Sequence, residues 1–315
     1  MNRKEYLARL ETALMTLSYE ERQAALRYYE EYLWDAGEEN EAAAIAELGS
    51  PEALAEKIIR ESRAYAAESA KSEPQKDDNA DKLPPFSSID LNLINADVTL
   101  YMGTAYAIKL DFPENYQLPD VEVRDNTLLI REKRVSHVSF FGIRSFNFMK
   151  KAAVAITLPD VQYERFAFDM VNGGLTIPAF RVCELRTDNV NGGVSVNGVT
   201  GERVRLSSVN GKLAASDIST MQECKCDTVN GGIEMTGTLR GKIIASAVNG
   251  GIRIFMPLSG KDYNLSVSTL SGSVRVNGQK MSKSFNLQNG APNSIKADTV
   301  NGGISVEMES GTIVL

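Results

Sequence analysis

Val171-Asn172-Gly173-Gly174-Leu175-Thr176-Ile177 is the first copy of a phrase that recurs through the second half of the chain. It returns as Val190-Asn191-Gly192-Gly193, Val209-Asn210-Gly211-Lys212, Val229-Asn230-Gly231-Gly232, Val248-Asn249-Gly250-Gly251, Leu270-Ser271-Gly272-Ser273 and Val300-Asn301-Gly302-Gly303. Successive Asn or Ser positions lie 19, 19, 20, 19, 22 and 30 residues apart. A fixed period of this size is the signature of a stacked repeat.

Aligning the copies on the Asn or Ser exposes a second regularity. Six and four residues before it stand pairs such as Phe166 and Phe168 or Leu185 and Thr187, and three and five after it pairs such as Val194 and Val196 or Ile233 and Met235. Each repeat is therefore a strand, a corner and a second strand, with the same face of both strands turned inward. Asn and Gly accept positive φ readily, so we expect the corner to turn through that conformation. Stacked corners would let Asn172, Asn191, Asn210, Asn230, Asn249 and Asn301 pass amide hydrogen bonds from coil to coil. A propeller blade needs about 40 residues, whereas a β-solenoid coil closes in about 20. The spacing favours the solenoid, with less regular first coils from residues 86–160 and an open strand edge near Leu315.

The first 68 residues read as a small helical bundle. Tyr6, Leu7, Leu10, Ala13, Leu14 and Leu17 form one apolar stripe, and Ser18 with Glu21 makes a capping box for a second helix running towards Gly37. A third helix around 41–48 stops at Gly49, and Ser50-Pro51 opens a fourth. Residues 69–85 are polar and end in Pro84-Pro85, which reads as a disordered linker.

Charge follows the same division. Residues 1–70 carry 15 acidic and 8 basic side chains, while residues 71–315 carry 26 of each. Neither part has the basic footprint of a direct nucleic-acid binder. The single histidine, His137, rules out a His-dependent triad or a multi-His metal site within one chain. Cys183, Cys224 and Cys226 read as small core residues, and no cofactor is implied. The start of the chain lacks an apolar signal core, and no uncharged run reaches the roughly 20 residues of a membrane span. The expectation is a cytoplasmic protein, membrane-associated only through a partner.

Both halves carry family resemblances. Lys4-Glu5-Tyr6-Leu7, Glu20-Glu21-Arg22, Tyr28-Tyr29-Glu30-Glu31-Tyr32 and Leu48-Gly49-Ser50-Pro51-Glu52-Ala53-Leu54-Ala55 resemble the bacterial HAAS module, a helical domain associated with sensor kinases and anti-sigma factors. From Phe86 to Leu315 the Ile89 to Leu100 segment, Asn126-Thr127-Leu128-Leu129-Ile130, Ala155-Ile156-Thr157-Leu158-Pro159 and the Asn-Gly-Gly coils resemble the bacterial putative-adhesin family. That resemblance implies a right-handed parallel β-helix without established catalytic residues, in proteins linked to envelope sensing or transcriptional control.

Three surfaces remain as candidate sites. Phe140, Phe141, Arg144, Phe146 and Phe148 form an aromatic and basic interval that a thin coil cannot easily bury, suited to a partner or membrane surface or to a hairpin packed on the solenoid. Tyr29, Tyr32 and Trp34, with Tyr28, crowd one helix that cannot turn them all inward. Asp188 and Asp227, facing out two coils apart with Ser207 between, could serve as an acid/base pair on a polysaccharide, or could be spaced by Ser to relieve like-charge stacking. The leading expectation is a non-enzymatic interaction protein, envelope-associated or adhesin-like, with a regulatory or membrane protein as partner. A carbohydrate-active enzyme is the alternative, and a homo-oligomer is left open.

Overall fold

The computed structural model describes residues 1–17, 22, 25, 26, 29, 30, 33, 37–69, 81–113, 116–132 and 152–309. The chain divides into two compact units, one helical and one built of strands.

In the helical unit, α1 (Arg3–Ala13) is opened by Asn2, whose side chain accepts the Glu5 amide at 2.9 Å. Helix α2 (Gly37–Leu48) includes Gly37, so that glycine begins a helix instead of ending one. Gly49, at φ +77°, stops α2 in the left-handed conformation. Ser50 Oγ then accepts the Ala53 amide at 3.1 Å and opens α3 (Pro51–Ser69). Tyr6, Leu10, Leu14, Tyr29, Leu33, Ile45 and Ile58 share one buried core. The capping box at Ser18 and Glu21 lies outside the described residues.

The second unit is a strand-rich, parallel, solenoid-like domain. Its chain begins with β1 (Asp81–Lys82), β2 (Ser88–Gly103), β3 (Ala107–Asp111), β4 (Asp120–Arg124), β5 (Thr127–Arg131) and β6 (Ala152–Pro159). The regular coils follow as β7 (Gln162–Asn172) with β8 (Leu175–Ile177), β9 (Arg181–Asn191) with β10 (Val194–Asn197), and β11 (Thr200–Asn210) with the long β12 (Leu213–Asn230). Then come β13 (Ile233–Leu239), β14 (Lys242–Asn249), β15 (Ile252–Ser259), β16 (Tyr263–Ser271), β17 (Val274–Val276), β18 (Gln279–Met281), β19 (Ser284–Leu287), β20 (Asn293–Asn301) and β21 (Ile304–Glu309). Corner pairs with corner in register, Asn172 with Asn191, Asn191 with Asn210, Asn210 with Asn230 and Asn230 with Asn249. Residues in the four inward columns, from Phe166 and Phe168 through Ile304 and Val306, are buried in every coil. Cys224 and Cys226 belong to those columns, but Cys183 is exposed, because it falls on the outward phase of β9.

Stacking order departs from chain order at both ends. Beyond Asn249 the next corner is Asn301, and Ser271 lies outside Asn301. The last coil, β20 with β21, is thus wedged between β14 with β15 and β16 with β17. The outermost coil is capped by β19, antiparallel to β16, and by β18, antiparallel to β17. At the other end β2 stacks directly on β7 with Asn95 opposite Asn172, and β5 and β6 lie outside β2. Strand β4 covers β5, β3 covers β6, and β1 covers β3, all antiparallel. The open edge expected near Leu315 does not exist among the described residues: the coil of highest residue number is interior, and antiparallel strands close both ends. The expected linker also ends early, since Asp81 and Lys82 already pair with Ile108 and Ala107.

Candidate functional site

Of the aromatic candidates, Phe140, Phe141, Arg144, Phe146, Phe148, Tyr32 and Trp34 lie outside the described residues. Tyr29 is fully buried, so its ring serves the helical core and not a surface.

The corner asparagines form a one-way chain of hydrogen bonds. Asn301 Nδ2 donates to Asn249 Oδ1 at 2.8 Å, Asn249 to Asn230 at 2.9 Å, Asn230 to Asn210 at 2.7 Å and Asn210 to Asn191 at 2.8 Å. Asn191 donates to Asn172 at 2.8 Å and Asn172 to Asn95 at 2.7 Å. The chain continues through Asn95 Nδ2 to the Tyr116 hydroxyl, which donates to the Glu132 carboxylate. Aligned amide dipoles thus end with their donor side on an anion, the sense in which such a chain is stabilised. Asn95 was missed in the sequence because Ala96 replaces the glycine. Ile89, Leu91, Val98 and Leu100 stand at the same offsets from it as in the later coils and would have revealed it.

A second, inner ladder explains a set of buried polar residues. The Asn189 amide and the hydroxyls of Ser208, Thr228, Thr299 and Thr269 donate to the carbonyls of Gly173, Gly192, Gly211, Gly250 and Gly302 in the neighbouring coils. The glycine after each corner Asn is required for that close approach. A Cβ on Gly211, Gly231, Gly250 or Gly302 would lie 2.1 Å or less from the carbonyl oxygen of the adjacent coil's glycine. None of the corner asparagines has positive φ; at two corners the glycine does, Gly173 at +155° and Gly192 at +146°, so where the corner takes that conformation the glycine carries it and not the asparagine. In the caps, positive φ falls at Asp125-Asn126, which joins β4 to β5, and at Asn277-Gly278, which joins β17 to β18, as two-residue hairpin turns.

The outer face of the first strands is a lattice of paired charges. Arg186 bridges Asp169, at 3.5 Å, and Asp188 in the adjacent coil. Lys225 holds Asp227 at 2.8 Å and Lys296 holds Asp298 at 3.6 Å. Ser207 and Ser246 separate the aspartates in register. Burial raises the Asp169 carboxyl above its usual value, with Arg186 opposing and Asp188 adding to the rise. Asp188 and Asp227 therefore sit two coils apart, each engaged by its own cation.

The outer face of the second strands is different. A shallow trough of about 470 Å³ runs across the stack there. Its floor is Gly232, Gly251 and Gly303, the second glycine of three corners. Along one wall the register sets Glu234 beside Arg253, Arg253 beside Ser305, and Ser305 beside Arg275. Glu234 is held by Lys212 at 2.6 Å and by Arg253 at 3.1 Å, and the Lys212 hydrogen bond leads in holding the Glu234 carboxyl below its usual value. Arg275 has no ion-pair partner among the described residues, and neither does Lys280, which lies opposite it on β18. The sequence reading missed this trough because its components are dispersed over some 90 residues and meet only through the wedged last coil.

A family model described as Toastrack DUF4097 matches residues 86–288. The chain belongs to that family. A HAAS model matches residues 5–57, a helical module that precedes the Toastrack solenoid. Two solved structures are similar: a putative adhesin from Bacteroides fragilis, 18% identical over 72% of this chain and 95% of the other with a TM-score of 0.42, and a putative cell adhesion protein from Clostridium sporogenes, 16% identical over 73% and 98% with a TM-score of 0.36. No curated protein matches. Among the described residues of this Toastrack protein, no helix is long and apolar enough to cross a membrane.

Proposed function

We propose that this Toastrack protein is a non-enzymatic, envelope-associated interaction protein of the bacterial cytoplasm. Its HAAS module docks a regulatory or membrane protein, and its solenoid displays a binding face. The coils wind right-handed, the hand that nearly all parallel β-crossovers take. The observation that carries the reading is the trough, an open surface in which Arg275 is uncommitted. A HAAS match ahead of it supports the docking role. Cross-linking the full chain in cells and identifying what it captures tests the reading. A specific protein or envelope component, retained by the full chain and lost when residues 1–57 are removed, is the expected result. Recovery of nothing specific by either form sinks it.

One observation favours a second reading, a carbohydrate-active enzyme using outward carboxylates: Asp169, raised by burial, stands beside Asp188 in the adjacent coil, as an acid beside a carboxylate would. Arg186 occupies both carboxylates, which weighs against it. Glycan cleavage abolished by Asp188→Asn would establish this reading, and no cleavage across a broad polysaccharide panel would remove it.

A further inference from the structure

We propose that the glycine-floored trough binds an acidic polysaccharide laid along the stack, with Arg253, Arg275 and Lys280 taking its carboxylates. This rests on the interaction-protein reading and supplies its ligand class.

The first evidence is that the fold does not require the floor glycines. A Cβ on Gly232, Gly251 or Gly303 would meet its nearest neighbour at 3.4 to 3.5 Å, ordinary contact, and none of the three has left-handed φ. Lys212 and Ser273 occupy the same position in sister coils, so other residues are accommodated. Glycine loses more backbone freedom on folding than any other residue, and it is used where something must come close to the backbone. A Cβ on the first glycine of the corners would collide with a neighbouring carbonyl; on the second it would make only ordinary contact. The three floor glycines lie in the corners between strands, and a strip of bare backbone kept there at an entropic cost is what a flat ligand would need.

The second is the chemistry of the wall. Glu234, Arg253, Ser305, Arg275 and Lys280 follow one another across adjacent strands at the roughly 4.8 Å spacing of a sheet. Cations thus recur along the direction in which an extended polymer would run, and two of them, Arg275 and Lys280, have no ion-pair partner among the described residues. Ser305 and Ser273 can donate to or accept from sugar hydroxyls, and Glu234 can accept from them. A polyphosphate has no hydroxyl to donate to Glu234 and would set only charge against it, whereas a sugar acid brings hydroxyls beside its carboxylate. Phe255, half exposed and in phase with Arg253 on β15, offers an apolar flank for the C–H face of a sugar ring.

The test is calorimetric titration of the full chain with polygalacturonate, dextran and polyphosphate. Polygalacturonate is expected to bind, more weakly as salt rises, and dextran and polyphosphate to bind at least roughly tenfold more weakly. Arg275→Glu with Lys280→Glu should cut polygalacturonate affinity roughly tenfold or more. Gly251→Thr should do the same with the melting temperature little changed, while Arg165→Glu on the first-strand face should have no effect. No binding of polygalacturonate, equal binding of polyphosphate, or equal loss in the Arg165 variant overturns the proposal. If polygalacturonate fails while cross-linking still captures a specific partner, the interaction reading survives and the glycan assignment alone is lost.

Discussion

Glycine does two separate jobs in this chain, and substitution separates them. Gly231 follows a corner Asn, and a Cβ there would lie 2.0 Å from the Gly211 carbonyl oxygen, whereas Gly278 has open space but φ +76°. Gly231→Ala should therefore destabilise by about 3 kcal/mol or more, since the obstacle is backbone of the next coil. Gly278→Ala should lose only the left-handed penalty of about 1–2 kcal/mol. Urea denaturation of both variants measures the difference, and equal losses would refute the distinction. Tyr263 gives a pH signature. Its buried hydroxyl donates to the Leu239 carbonyl at 2.6 Å, and burial pushes its ionisation up to about 12. The unfolded chain's tyrosine ionises near 10, so the folded state keeps a proton that the unfolded state has lost. Its stabilisation is complete below about pH 10 and is lost as pH rises towards 12, by up to about 1.4 kcal/mol per pH unit. Tyr263→Phe should flatten the fall in urea midpoint between pH 10 and 11.5.

At the scale of elements, the caps and the wedged coil decide how the stack ends. Strand β20 bonds to β14 on one side and to β16 on the other, and β21 likewise to β15 and β17, so these two strands join the outermost coil to the rest. Truncation after residue 290 should leave β16 to β19 without their parallel partner. Limited proteolysis is expected to cut the truncated protein between residues 259 and 290 while leaving coils up to Asn249 intact; a resistant C-terminal segment would contradict the register. The asparagine ladder belongs to this scale too. Asn210→Ala removes one donor and one acceptor from the middle of the chain of amides, and a loss of about 1–2 kcal/mol is expected from two largely exposed hydrogen bonds. Thermal melts of Asn210→Ala beside Asn301→Ala, which loses a single bond of the ladder, should show the mid-ladder variant the weaker.

For the whole molecule, the period-two columns made the coil legible because each inward position repeats at one offset from the corner, and Phe166, Val204, Ile243 and Ile295 are buried alike. Order in space was not legible. The 22- and 30-residue spacings around Ser271 marked irregularity, but nothing local says that Asn301 stacks on Asn249, because pairing of parallel strands is set by non-local contacts. The first coil hid for the same reason: Asn95 and Asn172 are 77 residues apart. The trough was invisible at every local scale, since two of its cations come from strands that meet only after the final coil is in place.

That final coil also sets a schedule. Synthesis runs from the N-terminus, so β14 and β16 emerge with a vacant slot between them that only the later strand β20, Asn293–Asn301, can fill. A plain solenoid could add each turn as it left the ribosome; this one must hold two turns apart, or repair a premature pairing, until β20 and β21 have emerged. Stalled ribosomes carrying chains that stop at residue 290 should accordingly display an exposed β14 edge, the moment at which the protein most needs a chaperone.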